Sequence, residues 1–322
     1  MFRNQKIVIA GGTGFIGQQL TRGWMLHNRV IVLTRGVTEA NNRYTTGHIV
    51  HPNVQYVHWD ALTAGAWQQE LEQADLLLNL AGKSVNCRYT PANQAAILQS
   101  RLQATAALGQ AVQQCKTPPR LWVNVASATI YRHAEDRPQD EYSGQFGEGF
   151  SVMVCRQWEA LFRSIDTPAT RKVVLRLAIT LGNGGVMVPY RNLARLGLGG
   201  RQGTGRQMFS WLHITDLQRL ICWLAANPTA QGIYNAAAPH PVSNQCLMQW
   251  IRTLGGVKAG LPAPAWLIRL GAKLIGTEAE LVLKSRWVIP RRLQNEGFEF
   301  SYPEISGALK SIPLVAGKNI PG

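Results

Sequence analysis

Short apolar runs alternate with longer stretches of helical spacing through the first half of the chain. Lys6–Ala10, Val30–Leu33, Val54–His58, Asp75–Leu80, Leu121–Ala126 and Val173–Leu177 are brief and rich in β-branched residues, so they predict strands. Between them, Gly14–His27, Pro91–Gln114 and Gly149–Arg163 have the length and apolar spacing of helices. This alternation predicts an α/β fold with a parallel sheet and crossover helices. The second half changes character. Gly182–Gly205 is glycine-rich and reads as a long loop around a short helix, and Leu261–Pro264 reads as a connection into another helical stretch. The expected division is a nucleotide-binding domain of residues 1–181 and 211–242, and a smaller substrate-side lobe of 182–210 and 243–322.

The first run leads directly into Gly11-Gly12-Thr13-Gly14-Phe15-Ile16-Gly17. Gly12, Gly14 and Gly17 satisfy G-x-G-x-x-G, in which one glycine permits a tight turn, one lets backbone approach a pyrophosphate, and one lets helix pack on strand. A pyrophosphate would sit at the helix N-terminus, where free amides favour an anion. The pattern alone is weak in a chain with 31 glycines. Its position between a strand and a helix makes it a dinucleotide signal, so the expected fold is a doubly wound sheet of the Rossmann type. Ligands in such sheets bind beyond the carboxyl ends of the strands. The second run ends at Thr34-Arg35, where a carboxylate for the ribose 2′-hydroxyl is usual. A hydroxyl and a guanidinium suit a 2′-phosphate instead, so NADP is expected over NAD. Asp60 follows the third run as a candidate for the adenine amino group. Leu80, Ala81 and Gly82 follow the fourth, where small residues would let the chain pass close to a cofactor.

Composition bounds the remaining possibilities. At 322 residues and 46% hydrophobic content the chain can bury a sizeable core. No apolar run approaches the roughly 18 to 20 residues that span a bilayer, and no signal peptide is legible, so a cytoplasmic protein without a membrane partner is expected. The five cysteines are scattered and never spaced C-x-x-C, which indicates neither a disulfide framework nor a zinc site. With 33 basic against 18 acidic residues the net charge is +15, but the basic residues are spread along the chain without a nucleic-acid motif. A positive surface facing a phosphorylated cofactor is expected rather than nucleic acid binding. Oligomeric state is not legible.

The chain resembles an extended short-chain dehydrogenase/reductase, in the superfamily of nucleotide-sugar epimerases and dehydratases. Gly11–Gly17 is similar to the family's opening motif, Asn79–Gly82 to its fourth-strand motif, and Ala126–Tyr131 to its fifth-strand serine segment. Ser210–Asp216 is similar to a segment leading into a late helix. Leu196–Gly200 with Gly203–Gln207, Asn235–Asn244, and Val288–Leu293 through Gly297–Phe300 narrow the resemblance to an atypical branch of epimerase-family proteins with a C-terminal domain of unknown function. The resemblance implies a catalytic Ser and a Tyr-x-x-x-Lys, in which lysine lowers the tyrosine pKa. Ser127 fills the serine position. Ser151 and Cys155 fall at the tyrosine and lysine positions, so that pair is absent. Arg101 falls where the family carries an asparagine, and a guanidinium facing the cleft would attract a cofactor phosphate or a substrate carboxylate.

Other residues remain as candidates. Tyr131 is the phenol nearest Ser127 in sequence and a candidate proton donor. Glu141 lies in a polar loop that often lines the substrate pocket. Arg201, Arg206, Gln207 and Trp211 combine polar forks with an aromatic face suited to a small anionic or ring-bearing substrate. Cys155 reads as an inert thiol, and His213 and Asp216 as anchors of the following helix. The expected function is an NADP-binding, epimerase-like oxidoreductase of atypical active site acting on an unidentified small molecule. Its alternatives are a non-catalytic NADPH-binding sensor or scaffold and an ordinary nucleotide-sugar epimerase or dehydratase.

Overall fold

The computed structural model describes residues 2–36 and 48–312. Its first half runs β1 (Lys6–Ala10), α1 (Phe15–Trp24), β2 (Arg29–Thr34), β3 (Val54–His58), β4 (Leu76–Asn79), α2 (Pro91–Gln114), β5 (Leu121–Ser127), α3 (Phe150–Ser164) and β6 (Arg171–Leu177). The second half continues through β7 (Ile179–Leu181), α4 (Met187–Arg195), β8 (Met208–Phe209), β9 (Trp211–His213), α5 (Ile214–Ala226), β10 (Gly232–Ala236) and β11 (Val242–Ser243). It closes with α6 (Asn244–Leu254), α7 (Ala265–Ile275), α8 (Glu280–Leu283), α9 (Arg291–Asn295) and α10 (Ile305–Lys310).

Seven strands form one parallel sheet in the order β10-β6-β5-β4-β1-β2-β3, the doubly wound α/β arrangement expected from the strand and helix alternation. Six strands were legible as apolar runs. The seventh, β10, is a five-residue segment opening on a glycine, and its pairing with β6 fixes it as a strand. Side chains alternate between the two faces of the sheet. Ile7, Ile9, Val30 and Val32 join a core with Leu217 and Leu220 of α5, while Val8, Ala10, Ile31 and Leu33 join a second core with Ala104 and Leu108 of α2 and Trp158 and Phe162 of α3. A further apolar cluster unites α4, α6 and α10 through Tyr190, Leu247, Met248 and Leu309.

Helix starts follow local chemistry. Thr90 caps α2 by accepting from the Asn93 amide at 3.3 Å, and Pro91 occupies the first turn, where its missing N–H costs nothing. His213 caps α5, its Nδ1 accepting from the Thr215 amide at 3.2 Å. Asp216 accepts from the amides of Ser301 and Tyr302 at 2.7 and 2.9 Å, tying the C-terminal segment to the sheet. His213 anchors the following helix as its sequence context predicted, whereas the Asp216 carboxylate holds residues of the C-terminal segment instead.

Winding reverses at β1, which has β2 on one side and β4 on the other. A crevice opens there beyond the strand ends.

Candidate active site

The turn after β1 and the segment after β4 meet at this crevice. Gly11 adopts φ +76°, and a Cβ there would stand 2.9 Å from the Ala81 backbone, so only glycine allows the two segments to touch. A Cβ at Gly17 would stand 2.4 Å from Gly12 Cα, which is the close helix-to-strand packing the motif requires. Gly14 is different: a Cβ there would meet nothing nearer than Gly11 O at 3.9 Å. Its missing side chain leaves open space at the start of α1. The first intrahelical bond runs from Gln18 N to Gly14 O, so the amides of Phe15, Ile16 and Gly17 precede it. Open space beside unclaimed amides fits a pyrophosphate. Phe15 lies beneath Gly182, Gly184 and Gly185, joining the glycine turn to the glycine-rich loop.

The cleft has a volume of about 530 Å³. Gly11, Gly14, Phe15, Ile16 and Gly17 line one end, with Leu80, Ala81, Gly82 and Arg101. Asn79 sets the path of the fourth-strand segment: its Oδ1 accepts from Ala81 N at 3.0 Å, and its Nδ2 donates to Asn124 Oδ1 at 2.8 Å. Arg101 donates through Nη1 to the carbonyls of Lys83 and Ile97 at 3.0 and 2.9 Å, with its guanidinium 5.3 Å from the Trp158 ring. Burial depresses its pKa.

The other end of the cleft holds hydroxyl and thiol groups. Ser127 Oγ accepts from Thr129 N at 3.2 Å, which leaves its proton free for a ligand. Cys155 is buried, and burial pushes its thiol pKa up to about 11, so it is neutral. It supplies no positive charge. Ser151, at the position of the missing tyrosine, donates to Glu280 Oε1 at 2.5 Å. Tyr89 lies on its other side, with 3.4 Å between Tyr89 Oη and Ser151 Oγ. Burial raises the Tyr89 pKa, and the Glu280 charge adds to it against the Ser151 hydrogen bond. Tyr89, Ser151 and Glu280 thus form a chain from the cleft to a carboxylate exposed to solvent. The loop carrying Tyr89 is clasped to the C-terminal segment: Tyr89 N donates to Glu278 Oε1 at 2.8 Å, and Arg88 pairs with Glu278 at 3.2 Å.

Several sequence candidates lie elsewhere. Tyr131 is buried away from the cleft, donating to Asn235 Oδ1 at 3.0 Å and accepting from Arg176 Nη1 at 2.8 Å. Arg176 is held in turn by Glu159 in a two-bond pair at 2.9 and 2.8 Å. This buried network positions β6 against α3. Glu141 accepts from the amides of Asn235 and Arg292 at 2.8 and 3.3 Å, and burial raises its pKa. It is a structural clasp rather than a cleft residue. Arg201 and Arg206 are exposed, Gln207 donates to Gln202 O at 2.7 Å, and Trp211 is fully buried, so none of the four lines the cleft. The chain turns inward at β8 and β9 and carries Gln207 and Trp211 into the protein, while Arg201 and Arg206 stay on the surface away from the crevice.

Asp60 closes a turn on itself, accepting from Leu62 N, Thr63 N and Thr63 Oγ1 at 2.8, 2.9 and 2.6 Å. The Thr63 hydroxyl leads those bonds in holding its pKa down to about 2. Thr34 is buried with its Oγ1 accepting from Gly36 N at 3.2 Å, and Arg35 is exposed just past the end of β2. Sequence reasoning missed Tyr89 and Glu280. The residues at 84–89 carry no motif, and only the docked C-terminal segment brings a carboxylate to Ser151.

Residues 7–237 match the family model described as NAD dependent epimerase/dehydratase family. The chain belongs to that family. Residues 263–312 match a domain of unknown function, DUF1731, and this domain supplies Leu281 to the cleft wall and Glu280 to Ser151. Among curated relatives, the epimerase family protein SSP1921 of Staphylococcus saprophyticus is 33% identical over 308 residues, covering 95% of this chain and 98% of that protein. The epimerase family protein SDR39U1 of Bos taurus is 33% identical over 317 residues, covering 95% and 99%. The crystal structure of human SDR39U1 (isoform 2) with NADPH superposes with a TM-score of 0.80 at 30% identity, covering 95% of this chain and 98% of that one. Among the described residues no helix is long and apolar enough to cross a membrane, and no group of three or more metal-ligating side chains is present.

Proposed function

We propose that this family member is an NADP(H)-dependent oxidoreductase acting on a small carbonyl or hydroxyl compound, with a proton path different from Tyr-x-x-x-Lys. The observation that carries the nucleotide reading is the open space at Gly14 beside the first amides of α1, at the switch point of the sheet. NADPH bound to the human relative supports the same ligand class here. Arg35, exposed past β2, is the candidate for the 2′-phosphate, and Arg101 for an anionic group at the middle of the cleft.

When bound, NADPH supplies a hydride. The chain's own residues then have to orient the substrate oxygen and deliver a proton to it. Ser127 donates a hydrogen bond to that oxygen. With Ser151 donating to Glu280, Tyr89 donates to Ser151 and turns its oxygen lone pairs to the cleft. In the oxidative direction the substrate hydroxyl gives its proton to Tyr89, whose own proton passes to Ser151, and the serine proton to the Glu280 carboxylate. Reduction runs the same transfers backward, from a protonated Glu280 to the substrate oxygen. A second reading, a nucleotide-binding sensor without turnover, is favoured by the neutral thiol at Cys155 in place of a cation.

Titration of the purified protein with NADPH and NADH tests the cofactor. NADPH is expected to bind more tightly, and Arg35→Ala to remove most of the difference, since one charge-assisted phosphate contact is worth about tenfold. Equal affinities of the wild type for both nucleotides sink the NADP assignment. A panel of aldehydes, ketones and nucleotide sugars, read by loss of NADPH absorbance, then separates the enzyme from the sensor.

A further inference from the structure

Arg286 follows α8 and is only 9% exposed. Its Nε donates to Thr129 Oγ1 at 3.4 Å and its Nη1 to Leu281 O at 3.1 Å, both neutral acceptors. Lys284 donates through Nζ to Thr129 O at 3.0 Å. Among the described residues, no carboxylate oxygen lies within 4.0 Å of either cation. Glu280 acts on both cations from a distance, its charge offsetting part of the burial cost, while its own contact is with the Ser151 hydroxyl. Arg176 provides an internal contrast: it is equally buried, and Glu159 neutralises it through two hydrogen bonds. Burial depresses the pKa of both Lys284 and Arg286, and the Arg286 charge depresses Lys284 further. A guanidinium cannot shed its proton at ordinary pH, so Arg286 remains a desolvated cation with no carboxylate in contact.

The surroundings indicate where the missing anion belongs. Thr129 and Leu281, the two residues that hold the Arg286 side chain, both line the main cleft. A recess of about 10 Å³ bordered by Lys284 and Arg286 shares Ile179 and Leu281 with that cleft. Such a recess holds roughly one water-sized group, so it suits the terminal oxygen of a ligand whose body stays in the cleft.

We propose that Arg286 and Lys284 receive the anionic end, a carboxylate or a phosphoryl group, of a small substrate whose reacting oxygen lies beside Ser127 and Tyr89. This rests on the reading of the cleft as an NADP(H) and substrate site. It assigns the C-terminal domain a chemical task, selecting acidic substrates, and makes neutral aldehydes and ketones poor ones.

The test uses the full chain saturated with NADPH and titrated with malonate, inorganic phosphate and neutral malonamide, read by calorimetry and by thermal melting. At least one anion is expected to bind and raise the melting temperature, with malonamide inert; comparing malonate with phosphate separates a carboxylate receptor from a phosphoryl one. R286Q is expected to weaken anion binding by about tenfold or more and K284M by about threefold or more, with NADPH affinity held within about twofold. Without anion, R286Q is expected to melt above the wild type, because an uncompensated buried charge has been removed. Absence of binding by both anions at millimolar concentration, or unchanged anion affinity in R286Q, overturns the proposal. Should R286Q fail to fold, R286K and K284M carry the comparison, R286K retaining anion binding. Failure of the wild type to bind NADPH would instead remove the cofactor reading, and titration of the unliganded protein would still test the cation pair.

Discussion

Substituting Gly14 by alanine separates ligand binding from folding. Gly14 has φ −74° and ψ 173°, a conformation open to any residue, and the new methyl group would meet no protein atom nearer than 3.9 Å. As the N-cap of α1 it makes no side-chain hydrogen bond, so the change should cost well under about 1 kcal/mol of stability and lower the melting temperature by no more than about 2 °C. The methyl group instead occupies the space through which a pyrophosphate approaches the amides of Phe15 and Ile16. Overpacking of about 1 to 3 kcal/mol at that contact corresponds to roughly 5- to 150-fold weaker NADPH binding. Gly17→Ala is the contrasting variant. Its Cβ would stand 2.4 Å from Gly12 Cα and 2.5 Å from Gly12 O, backbone atoms that no side-chain rotation can clear. Both stability and binding should fall. Nucleotide affinity by calorimetry and thermal melting of the two variants give the comparison, and a Gly14→Ala protein that binds NADPH within about twofold of wild type would refute the placement of the pyrophosphate.

Three other outcomes follow from ionisable groups. Tyr89→Phe is expected to lower turnover of any accepted substrate by about 100-fold or more with little change in NADPH affinity, and Glu280→Gln to lower it by about 10-fold or more; normal rates in both exclude the proton path. Glu159→Ala leaves Arg176 buried and unpaired and should destabilise the protein by about 3 to 5 kcal/mol in denaturant unfolding, whereas replacing both residues by leucine should recover much of that loss. His213 is buried, and burial lowers its pKa to about 4, so the folded protein holds it neutral where the unfolded chain begins to protonate. Stability from this group is therefore complete above pH 6.5 and is lost as pH falls toward 4, by at most about 3 kcal/mol; His213→Asn should flatten that part of a stability profile, and an unchanged slope counts against the assignment.

The candidate site was legible where it is built from contiguous residues. Gly11–Gly17 names its strand, turn and helix in one stretch, and the missing Tyr-x-x-x-Lys was visible as Ser151 and Cys155 because that pattern is also local. Tyr131 illustrates the limit. Four residues from Ser127, it looked able to reach the cleft, yet the turn after β5 carries it inward to Arg176 and Asn235. Trp211 and Gln207 were likewise drawn into the interior by pairings of β8 and β9 that no periodicity announces.

The sequence by itself determined the strand and helix alternation of the doubly wound sheet, the glycine turn after β1, and the serine and cysteine at 151 and 155. All three depend on spacing within a turn or two of chain, where backbone geometry converts residue order directly into position. Tertiary structure alone decided which groups gather around Ser151. Tyr89 and Ser151 are 62 residues apart and Ser151 and Glu280 are 129 apart, so their contact is fixed by how the C-terminal domain docks across the cleft. The same docking strips water from Arg286 and leaves it without a carboxylate in contact, a property that exists only once distant segments have packed together.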